Sequence, residues 1–136
     1  MAKQLKTWVL NPKQSKVNVP KATKENLTKL ANKLVEEKLK RRYVKRPIKN
    51  QKFNYVSDIY TKWVRNFFYF CARYQSPEHN GRVQTFEAKF ARLEYLATGK
   101  YLLSYQRHNG KWFETDRQIS QAKALQVIDN GGLFMP

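Results

Sequence analysis

The sequence predicts an α+β fold: an N-terminal helix, a five-stranded antiparallel β meander and a C-terminal helix packed on the sheet. Three observations carry this expectation. Leu27, Leu30, Ala31, Leu34 and Val35 recur at three- and four-residue spacing, as one helical face requires. From Phe53 onward the chain turns to β-branched and aromatic residues, broken by turn signals at short intervals. A second helical stripe, Ala124, Leu125 and Ile128, follows the last strand.

The first helix is expected to start near Thr23, a good N-cap residue type, and to end around 41–45. Pro47 cannot continue a helix and disfavours the helical region at Arg46. Strand 1 is expected from Phe53 to about Trp63, with a turn at Arg65-Asn66. Strand 2 is then Phe67 to Gln75. Its Phe67-Phe68-Tyr69-Phe70-Cys71-Ala72 run is apolar on both parities, so it should be central and covered on both sides. The residues 76–81 read as a loop. Strand 3 runs from about Val83 to Leu96, with room for a bulge, and strand 4 from Tyr101 to Arg107. Asn109-Gly110 predicts a tight type I′ hairpin into a short strand, Lys111 to Glu114. Ser120 is the expected N-cap of the last helix, and Asn130-Gly131-Gly132 its stop.

The 136 residues suit one domain, read as 22–136 behind a basic, flexible arm at 1–21. A chain of this size folds without disulfides or metal. Cys71 is the single cysteine, which accords with a reducing compartment. Neither a secretory signal nor an apolar run long enough for a membrane span is present, so a cytoplasmic location without membrane attachment is expected.

Charge is the strongest functional signal. The chain carries 27 Lys/Arg against 10 Asp/Glu, a net +17. Residues 1–52 hold +13 of this, whereas 17 of the 19 aromatic rings lie after position 52. Such a surface attracts polyanions. Lys38, Lys40, Arg41, Arg42, Lys45, Arg46, Lys49 and Lys52 place eight cations in fifteen residues with no acid among them. They are the candidate phosphate contacts, with Arg107 and Lys111 of the hairpin tip as a secondary contact beside His108. Nucleic acid, as RNA or single strands, is the expected partner, and an acidic protein the alternative.

The rings Tyr60, Trp63, Tyr69, Tyr74, Tyr101, Tyr105 and Trp112 lie on or beside strands. On an exposed face they could stack bases; filling the sheet's interior is the commoner use. Asp58 with Glu87-Ala88-Lys89 weakly matches the acid and Glu-x-Lys pattern of a metal-dependent nuclease. Cys71, His79 and His108 lack zinc-site spacing, and there is no glycine-rich phosphate loop. No catalytic residue, metal or cofactor is assigned.

The phrases Phe53-Asn54-Tyr55, Asp58-Ile59-Tyr60-Thr61-Lys62-Trp63 and Arg65-Asn66-Phe67-Phe68-Tyr69-Phe70 are distinctive. So are Phe86 to Tyr95 and Arg107-His108-Asn109-Gly110-Lys111-Trp112-Phe113-Glu114. Together they resemble a family of short uncharacterised bacterial proteins, over roughly 22–136. The resemblance implies a bacterial, cytoplasmic protein and carries over no catalytic residue.

Overall fold

The computed structural model describes residues 18–47, 52–97, 99–107 and 109–136. The N-terminal helix comprises α1 (Lys21–Leu34), a π-helical turn (Val35–Leu39) and α2 (Lys40–Tyr43). The strands are β1 (Tyr55–Val64), β2 (Phe67–Gln75), β3 (Thr85–Tyr95), β4 (Tyr101–Gln106) and β5 (Trp112–Ile119). Helix α3 (Gln121–Asn130) and a 3-10 turn (Gly132–Phe134) close the chain. The sheet order is sequential and every neighbouring pair is antiparallel, so the meander expectation holds.

The helix begins two residues before Thr23. Pro20 stands at its cap without a side-chain hydrogen bond, and its carbonyl accepts the Lys24 N–H at 3.0 Å. Proline's fixed φ suits helix entry. The four fully buried helix positions are Leu27, Ala31, Val35 and Leu39, a spacing of four. At 3.6 residues per turn, such a stripe drifts about 40° per step and leaves the sheet within three steps. The wider π turn over Val35–Leu39 takes up that drift. Val35 and Leu39 thereby stay on the face that packs against the strands.

Most of the core lies between the helices and one face of the sheet. Phe68, Phe70 and Ala72 of β2, Ala91 and Leu93 of β3, and Tyr101 and Leu103 of β4 are buried with Ala124 and Ile128 of α3. Trp63 Nε1–H donates to Thr28 Oγ1 at 3.0 Å, and Thr61 Oγ1 lies 2.7 Å from Asn32 Oδ1, so the end of β1 is stitched to α1. The opposite face has no helix among the described residues.

Several boundaries differ from expectation. β5 runs to Ile119 rather than Glu114, because its backbone continues pairing with β4 through two register shifts. At the Asn109-Gly110 hairpin, Arg107 N–H donates to the Lys111 carbonyl and Gly110 N–H to that of Arg107. The loop therefore holds three residues, not two, with Gly110 at φ 81° supplying the left-handed position. β3 does carry a bulge: Phe70 pairs with Ala91 and Cys71 with Lys89, leaving Phe90 as the extra residue. Ser120 caps α3 by accepting the Lys123 N–H, and Gly131 ends it at φ 82°. Of the expected arm at 1–21, residues 1–17 lie outside the described residues and Lys21 already belongs to α1; Lys49 and His108 also lie outside the described residues.

The seam sets stability. Phe70→Ala or Leu27→Ala, both at fully buried positions, should cost about 2–5 kcal/mol in urea denaturation. Leu30→Ala, at a position 40% exposed, should cost well under half of that. Equal losses at Leu30 and Leu27 would place the buried seam wrongly.

Candidate anion-binding surface

The basic run divides into two sets. Lys38 Nζ sits 3.1 Å from the Asp129 carboxylate, and Arg42 donates to the other Asp129 oxygen at 3.0 Å and to its backbone carbonyl at 2.7 Å. These contacts join the end of the N-terminal helix to the last turn of α3. They hold the Asp129 carboxyl below its ordinary value, chiefly through the Arg42 hydrogen bond. Lys40 reaches Glu36 at 2.7 Å, one turn back, and Asp58 of β1 at 3.2 Å. Hydrogen bonding to Glu36, then to Asp58, raises its pKa.

Arg41, Lys45, Arg46 and Lys52 form the second set. All four are exposed, and none makes an ion pair with a described residue. The backbone is held even where the side chains are free: Lys45 N–H donates to the Val56 carbonyl at 2.9 Å. The chain just past the helix is thus tied to β1 at Lys45, among the unpaired cations. Alternating strand directions point the 107–111 tip toward this same end of the sheet from near the opposite edge, though the register stops it about level with Tyr60, the middle of β1. There Arg107 lies over the Phe113 ring at 4.5 Å, and both Arg107 and Lys111 are exposed.

The rings split between two faces. Trp63, Tyr74, Tyr101 and Tyr105 join the core, as side chains of the helix-covered face. Tyr60, Tyr69 and Trp112 stand on the other face, and Phe67, which the sequence reading did not single out, joins them. Their alternation with core residues was visible in the sequence. Which parity faced the helices was not.

On this open face Tyr60 and Lys62 of β1 reach over β2 to Glu87 of β3. Lys62 Nζ is 2.9 Å from one Glu87 oxygen, Lys89 Nζ is 3.2 Å from the same oxygen, and the Tyr60 hydroxyl donates to the other. The three donors push the Glu87 carboxyl down to about 2, the Tyr60 hydrogen bond contributing most. Beneath them Cys71 is fully buried, and burial pushes its thiol up to about 11, so it is held protonated and inert. The expected two-sided cover of β2 is met only at Cys71, beneath neighbouring side chains; Phe67 and Tyr69 stay part-exposed and Arg73 exposed on this face, because no helix packs there among the described residues.

Asp58 and Glu87, the two acids of the nuclease-like pattern, each pair in register with Arg73, one on either side of it. Two strand spacings hold their backbones about 10 Å apart. The Glu87 oxygens are already taken by Tyr60, Lys62 and Lys89, and Asp58 lies against Lys40 and, at 3.7 Å, Arg73. Among the described residues no group of three or more His, Cys, Asp or Glu is placed to share a metal ion.

The Glu87 cluster gives a pH signature. Its folded pKa lies below the ordinary 4.5, so its contribution is complete above 4.5 and lost as pH falls toward 2. Thermal melts across that range should show Glu87→Gln with a flatter decline in stability than the wild type. Identical slopes would remove the cluster's stabilising role.

No curated protein and no solved structure matches the chain. No helix among the described residues is long and apolar enough to cross a membrane. A family model described as a domain of unknown function (DUF3024) matches residues 19–136, from just before the helix to the last residue, and the chain belongs to that family.

Proposed function

We propose that the protein binds nucleic acid, as RNA or single strands, with phosphates received at the end of the N-terminal helix. The observation that carries this reading is the division of the basic run. Lys38, Lys40 and Arg42 are consumed by Asp129, Glu36 and Asp58, while Arg41, Lys45, Arg46 and Lys52 stand exposed without an ion pair among the described residues, Lys45 with its backbone tied to Val56. Cations that only complemented a helix terminus would number one or two in the last turn. Here the unpaired ones continue past the helix to the first strand.

The net charge of +17 supports the same reading, because each phosphate neutralised by Lys or Arg releases a condensed counterion. Contacts of this kind position a strand and carry little sequence information. Arg107 and Lys111, pointing toward the same end from near the other edge, would add cations to the surface. A reducing, cytoplasmic setting accords with the lone, buried thiol of Cys71.

Binding to a labelled single strand should weaken steeply with salt. The triple variant Arg41→Gln, Lys45→Gln, Arg46→Gln should bind more weakly and reduce the slope of log affinity against log salt by about 2–3. A salt-independent affinity, or an unchanged slope in the triple variant, would defeat the reading. Failure to bind any strand at low salt would redirect the charge to an acidic protein partner.

A further inference from the structure

We infer that the open face of the sheet is a stacking surface for unpaired nucleobases, which would make the protein selective for single strands. This rests on the nucleic-acid reading and adds the base-recognising half to its phosphate-holding end.

The centre of the surface is Arg92 of β3. Its guanidinium lies 5.0 Å from the Phe67 ring centre and 4.7 Å from that of Trp112, bridging rings from strands at either side of it. Tyr69 continues the row, 5.8 Å from Trp112 and 6.2 Å from Phe67. Small Ser104, opposite Arg92 in the register, leaves the space over which Trp112 leans from β5. Rings alternating with a guanidinium present flat, polarisable planes. Bases stack on both kinds of plane, whatever their sequence.

Two polar groups in this patch lack partners. Arg92 Nε and the Ser104 hydroxyl are buried without a hydrogen bond, and Ser104 is fully buried. Both lie beneath the rings and out of reach of solvent, so the surface offers an approaching base planes to stack on rather than hydrogen-bond partners.

Charge selects the occupant. The face carries acids, but they are answered: Glu87 by Lys62 and Lys89, Asp58 by Lys40 and Arg73, Glu114 by Arg117 at 2.6 Å. Glu94 is 5% exposed and withdrawn from an approaching strand. Arg92 is left without a carboxylate partner among the described residues. The surface also continues into the phosphate-holding end. Lys40 of the helix pairs with Asp58, Asp58 with Arg73, and Arg73 lies 4.9 Å over the Tyr60 ring. A strand whose backbone rests on Arg41, Lys45 and Arg46 can therefore turn over the β1 edge and lay its bases on the sheet. A second copy of this chain is disfavoured as the occupant, since it would bring another +17 to the same face.

The test compares a uridine-rich RNA of about 12 nucleotides with an abasic strand of the same length, which keeps the phosphates and lacks the bases. The wild type should bind the RNA about tenfold or more tightly than the abasic strand. Trp112→Leu should reduce RNA binding to the abasic level and leave abasic binding unchanged. In the wild type, NMR should show the Trp112 indole N–H shifting with RNA and not with the abasic strand, which tests the surface even if the variant fails to fold. Equal binding of both strands by the wild type, or an unmoved indole signal, would overturn this inference while leaving the phosphate reading intact. No binding of either strand would overturn both.

Discussion

One apolar seam, between the N-terminal helix and the first three strands, holds the rest of the molecule in place. Leu27, Ala31, Val35 and Leu39 meet Phe68, Phe70, Ala91 and Leu93 there, all essentially inaccessible to water. Burying each large side chain contributes about 1.5–3 kcal/mol, several times what an exposed ion pair supplies. The seam therefore decides which face of the sheet is covered. The π turn is the local accommodation that lets a four-residue stripe stay on that face for its full length.

Covering one face leaves the other to be finished by side chains alone. The open face does this by laying Tyr60, Lys62, Lys89 and Glu87 over Cys71, and Arg92 and Trp112 over Ser104. The result is a thin layer of rings and charges rather than a second hydrophobic core. Its ion pairs orient side chains more than they stabilise the fold, since they remain in contact with solvent.

The same seam also disposes of charge. Packing brings the helix end against α3 and the edge of β1, so Lys38, Lys40 and Arg42 find Asp129, Glu36 and Asp58 within 3.2 Å. The cations beyond that contact keep their charge for an external partner. A basic cluster that looks uniform in sequence is thus part clamp and part free surface.

The elements themselves were legible in the sequence. Helical spacing, the cap at Ser120, the glycine stop at Gly131 and the turn at Arg65-Asn66 are local features, set by backbone sterics and hydrogen bonding within a few residues. The extent of the helix and β5 was less so: the helix start rests on Pro20 rather than Thr23, and β5 continues because β4 offers it a ladder. What tertiary structure alone decided is which parity of each strand faces the helices and which lysines meet an acid. Phe67 and Phe68 are identical neighbours in the chain, yet one is part of the open surface and the other of the core. Asp129 lies 87 residues from Arg42, and no local rule pairs them. These outcomes depend on contacts between distant segments, which form only when the whole seam closes.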